Sequence, residues 1–105
     1  MLTGGDTATE REILTDFRRV NGTDVAMLEL ALEKRDFAQI TNASERIEGA
    51  SRTVGATRLA AACARLERAS RAGDWDETGR HMGVFQRELA RLNAYCEKAE
   101  YTSTT

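Results

Sequence analysis

Apolar and small residues recur along this chain in steps of three and four, the repeat that lines side chains along one face of an α-helix. Thr7 and Glu10 open the pattern with a T-x-x-E spacing in which each side chain satisfies the other residue's backbone N–H, and Ile13, Phe17 and Val20 mark the inward stripe that follows. Asn21-Gly22 predicts a break, after which Val25, Leu28 and Leu32 outline a second short helix from about Thr23 to Lys34-Arg35. Asp36 and Gln39 repeat the cap spacing and begin a longer helix with Phe37, Ile40, Ser44, Ile47, Ser51 and Val54 facing inward, stopped by Gly55-Ala56. The next segment, from about Thr57 to Ala72, buries Leu59, Cys63, Leu66 and Ala69 or Ser70, and Gly73 closes it. Asp74 with Glu77 caps a last helix whose stripe runs Trp75, Thr78, Met82, Phe85, Leu89, Leu92 and Cys96. The polar tail from Glu100 to Thr105 has no such stripe.

Long amphipathic helices joined by two or three residues must fold back on one another, because so short a link cannot carry the chain along a helix again. The pattern therefore predicts an all-α fold: an antiparallel four-helix bundle with an additional short N-terminal helix. No strand pattern or internal repeat competes with it. A length of 105 residues fits one domain over 1–105, with 1–6 and 100–105 frayed. The absence of proline is in keeping with uninterrupted helices.

Charge narrows the partners. Fifteen Lys and Arg against seventeen Asp and Glu leave a formal charge of -2, so no basic field points to nucleic acid or to an anionic membrane, and a protein partner is expected. Cys63 and Cys96 fall on inward positions, where a free thiol behaves as a small apolar group, and a reducing, cytoplasmic setting follows. No apolar run approaches the roughly 20 residues that span a bilayer, and Met1–Gly5 lacks the features of a signal peptide.

The helix opening at Asp36 turns Asn42, Glu45, Glu48, Gly49 and Arg52 away from its stripe. Taken alone, such a face is the ordinary solvated side of a helix. Glu45 and Glu48 are three apart, a spacing that gives a divalent cation only weak purchase. His81, the one histidine, sits beside Met82 with Glu77 four residues earlier, too few ligands for a zinc or di-iron site. Neither a phosphate-binding glycine loop nor a Cys-His nucleophile is present, so no metal and no cofactor are expected.

The stretch Ala43-Ser44-Glu45-Arg46-Ile47-Glu48-Gly49-Ala50-Ser51-Arg52-Thr53-Val54-Gly55-Ala56, followed by Leu59, Cys63 and Leu66-Glu67, resembles the signature region of histidine phosphotransfer domains, most closely those that end unorthodox hybrid sensor kinases. The resemblance runs from about Phe17 to Leu92 and includes Ala31-Leu32 and Arg71-Ala72-Gly73-Asp74-Trp75. It implies a phosphorelay module that docks the receiver domain of a response regulator, in the same parent polypeptide or another. It also implies a cytoplasmic chain, free or at the cytoplasmic end of a membrane-bound sensor kinase. The family's phosphate-accepting histidine aligns with Glu45 and its lysine with Glu48, while Gly49 keeps the family's small residue. Imidazole is neutral and nucleophilic near neutral pH, whereas a carboxylate attacks weakly and a second carboxylate repels the incoming phosphoryl oxygens. The expectation is a docking module inactive in transfer, with no catalytic residue and with Asn42, Glu45, Arg46, Glu48, Gly49 and Arg52 as its partner-binding face. The alternative is a structural or oligomerisation bundle that uses the Trp75–Cys96 seam without binding a receiver.

Overall fold

The computed structural model describes the backbone of residues 7–103 and the side chains of 12–13 and 15–98. Among them are four helices and no strand: α1 (Thr7–Glu33), α2 (Phe37–Thr53), α3 (Thr57–Arg71) and α4 (Trp75–Ser103). The reciprocal cap expected of Thr7 and Glu10 lies outside the described side chains. α4 continues to Ser103, past Glu100 where the polar tail begins.

The N-terminal region differs from its pattern. Asn21 and Gly22 do not break the chain: α1 passes through them without interruption, so the additional short helix merges into one long element. Burial of Phe17, Leu28 and Ala31 on a common side requires an unbroken helix between them, and that packing outweighs the roughly 1 kcal/mol that a helical glycine costs. The phase of the stripe shifts as a result. Asn21 goes inside, with its Oδ1 buried and unpartnered, while Val20 turns out and is 56% exposed.

The remaining boundaries fall where the caps place them. Asp36 Oδ1 accepts the Gln39 backbone N–H at 3.1 Å, and Asp74 Oδ1 accepts that of Glu77 at the same distance. All three connections are closed by one motif, in which a residue with positive φ brings the chain back onto the last turn. The N–H groups of Asp36, Ala56 and Asp74 reach the carbonyls of Ala31, Ser51 and Ala69 at 3.0, 2.8 and 3.1 Å. Gly55 and Gly73 hold the left-handed position in two of these turns at φ 78° and 67°, and Arg35 holds it in the first at φ 52°. The Arg35 guanidinium lies 4.8 Å from the Trp75 ring centre, and Trp75 meets Phe37 edge-on at 5.9 Å. The α1–α2 and α3–α4 turns therefore share one end of the molecule.

The core joins Ile40 and Ile47 of α2, Leu59, Cys63 and Leu66 of α3, and Met82, Phe85, Leu92 and Cys96 of α4, with Phe17 and Leu28 from α1. The whole inward seam of α4 is thus used within the chain. Small polar residues let α2 and α3 approach closely: Ser51 Oγ donates to the Ile47 carbonyl at 2.6 Å, and the Thr41 and Ser70 hydroxyls pair across the two helices at 2.7 Å. Both cysteines are buried and neither is in a disulfide. No described helix is long and apolar enough to cross a membrane.

Candidate functional site

Because Ile40, Ala43, Ser44, Ile47 and Ser51 face the core, the side of α2 a half-turn away presents Asn42, Glu45, Arg46, Gly49 and Arg52 to solvent, as their spacing requires. Gly49 stands near the centre of this face. A Cβ built on it would find nothing within 4 Å, so nothing inside the molecule requires a glycine there.

Glu48 is the exception among the six. Its side chain is only 20% exposed and leans to the α3 edge of the face, where it takes a forked hydrogen bond from Arg52, at 2.7 and 3.0 Å. There it also shares a hydrogen bond with the carboxyl group of Glu67, itself 17% exposed. Burial first and this contact second push the Glu67 carboxyl above its usual range, with Arg71 pulling the other way. The same surroundings act on Cys63: burial, then the charges of Glu48 and Glu67, push its thiol up to about 12.

Glu45 projects into solvent but is not solitary. Its carboxylate is ion-paired to Arg71 near the C-terminal end of α3, and Arg71 also holds Glu67 at 3.0 Å. On the opposite edge, Arg46 lies 3.8 Å from Asp24 of α1. The face is therefore a small open centre at Asn42 and Gly49, with Asp24–Arg46 on one flank and the chain Glu45–Arg71–Glu67–Glu48–Arg52 on the other. Arg71 bridges Glu45 and Glu67 and Arg52 holds Glu48, so each carboxylate has a guanidinium partner, while Glu67 and Glu48 meet as like groups in the middle of the chain.

Periodicity within one helix gave Asn42, Glu45, Glu48, Gly49 and Arg52, the resemblance added Arg46, and neither gave a hint of Asp24, Glu67 or Arg71 as their partners. The Glu67–Arg71 pair was readable as an i,i+4 spacing; the cross-helix pairs had no signal in a single helix's pattern. Among the described residues, no three His, Cys, Asp or Glu side chains gather to hold a metal ion. His81 lies elsewhere, on the α3-facing side of α4, half-buried and with Nε2 3.6 Å from Glu77. The Glu45 and Glu48 carboxylates on the face are engaged with arginines, and the Thr53 hydroxyl donates to the Gly49 carbonyl at 3.0 Å.

The family model for the Hpt domain covers residues 12–95, from the first turns of α1 to the later part of α4. No curated protein and no solved structure matches the chain.

Proposed function

Since the chain belongs to the Hpt domain family, and with it to phosphorelay in two-component signalling, we propose that it docks the receiver domain of a response regulator on the outer face of α2 and accepts no phosphoryl group from it. Hpt domains generally meet such receivers. On this reading residues 1–105 act as one antiparallel bundle. Glu45 takes the place of the family's acceptor histidine and Glu48 that of its lysine. The chain resembles the domain that ends unorthodox hybrid sensor kinases, and on this reading it works in the cytoplasm.

The observation that carries the proposal is the position of Glu45: mid-helix, in solvent, one turn from a glycine that the fold does not need. A partner surface can approach that point closely. Chemistry at the point is another matter. Transfer would require the Glu45 carboxylate to leave Arg71 and attack an aspartyl phosphate, and its product would be a labile acyl phosphate. Glu48 adds negative charge where phosphoryl oxygens arrive, and its Arg52 partner already lies across it. Asn42 remains as a polar contact at the centre, and Arg46 and Arg52 at the rim complement acids on a receiver.

The test uses a phosphorylated receiver. The chain is expected to bind it in calorimetry while acquiring no label. Glu45→His together with Glu48→Lys should restore labelling. Stable label on the unaltered chain would refute the loss of transfer, and the absence of any binding would refute docking. Self-association through the α4 seam is not supported, because that seam is packed in the chain's own core.

A further inference from the structure

Away from the α2 face, α3 and α4 border a groove of about 400 Å³ whose walls include Arg65, Arg68, Asp74, Glu77 and His81. Its acids are committed. Asp74 caps α4 through the Glu77 N–H, and the Glu77 carboxylate is forked onto Arg80. Its bases are not: among the described residues neither Arg65 nor Arg68 has an ion-pair or hydrogen-bond partner for its guanidinium. Arg58, one stretch earlier on the same side of α3, shows the ordinary arrangement by meeting Glu88 of α4 at 3.4 Å. Farther along the seam, α4 presents His81 instead of a further free acid. The inner nitrogen of that imidazole, Nδ1, is buried with no hydrogen-bond partner.

Two unpaired guanidinium forks along the wall of the groove form a surface short of negative charge. A planar fork engages two oxygens of one anion, and two forks from neighbouring turns need a group with oxygens pointing in several directions. A carboxylate saturates one fork, whereas a tetrahedral dianion serves both. The groove's volume falls in the range of small-molecule sites. The chain's net charge of -2, and Asp74 and Glu77 at the groove's end, disfavour an extended polyanion.

We propose that this groove binds a small phosphate monoester, with the phosphoryl oxygens held by Arg65 and Arg68 and the remainder lying beside His81. The site is on a different face from the receiver-docking surface and does not depend on that reading.

The single histidine makes the test direct, because the Cε1 proton of His81 gives an unambiguous NMR signal. At pH 7.5 the protein is titrated with inorganic phosphate and with glycerol 3-phosphate, against potassium chloride of matched ionic strength, glycerol and malonate. Saturable movement of the His81 signal is expected with both phosphates and not with the three references. The pair Arg65→Gln and Arg68→Gln, both on the exposed side of α3, should weaken binding at least about tenfold while circular dichroism stays unchanged. A response that follows ionic strength alone, or one that persists undiminished in the folded double variant, would overturn the site. Equal binding of malonate would overturn the phosphate assignment.

Discussion

Gly49 permits fold and function to be tested separately by one methyl group. It lies inside α2, and a Cβ there meets no atom within 4 Å. A helical glycine costs about 1 kcal/mol relative to alanine through extra backbone freedom in the unfolded chain. Gly49→Ala should therefore stabilise the protein by about 1 kcal/mol, which for a domain of this size raises Tm by about 4–8 °C. Gly22 in α1 and Gly79 in α4 are equally open, so Gly22→Ala and Gly79→Ala should give similar gains and serve as controls. Being on separate helices, the three changes should add to within about 0.5 kcal/mol. Receiver binding should distinguish them. A methyl group intruding into a closely packed interface costs about 1–3 kcal/mol, so Gly49→Ala should raise the Kd for the receiver at least about fivefold while the other two leave it unchanged. Urea melts and calorimetry measure both quantities. A lower Tm for Gly49→Ala would show that the glycine serves the fold, and a higher Tm with unchanged Kd would show that the partner does not approach Gly49 closely.

Ser44 is fully buried and its hydroxyl has no partner, so Ser44→Ala should stabilise by about 1 kcal/mol in denaturant melts; a loss of similar size would mean that the hydroxyl is satisfied in solution. Arg35 occupies a left-handed position, so Arg35→Gly should be about 1 kcal/mol more stable than Arg35→Ala, both having lost the contact with Trp75, and equal melts would contradict this. The buried Cys63 thiol, pushed up to about 12, holds its proton more tightly in the folded than in the unfolded chain, where it titrates near 9.0. Its contribution to stability is complete below pH 9 and declines by about 1.4 kcal/mol per pH unit above it. Cys63→Ala should therefore lose less stability than the parent between pH 9 and 10.5, and parallel slopes would rule out the thiol as the source.

The patterns of α2, α3 and α4 were legible because local and global signals agree there. Asp36 and Asp74 cap as their spacing demands, Gly55 and Gly73 take the left-handed turns, and the stripes from Ile40 to Cys96 face one core. Agreement failed at Asn21-Gly22. Two residues that stop an isolated helix were overruled by the burial of Phe17 and Leu28 on either side, which also exchanged Val20 for Asn21 at the core. The outer face of α2 was legible in five of its six positions. Glu48 is half-buried beside Glu67, nineteen residues away on another helix, and neither that neighbour nor the pairing of Glu45 with Arg71 is visible in the pattern of one helix. Periodicity says which way a side chain leaves its own helix and nothing about which neighbour it finds there.

Trp75 is the sole tryptophan, and it stands where two of the three turns meet, edge-on to Phe37 and beneath the Arg35 cation. Its emission is a built-in optical probe of that one end. A ligand settling quietly on the middle of α2 should leave the spectrum untouched, so any change in colour or intensity on mixing with a receiver would reveal that the disturbance travels along the rods to their far junction.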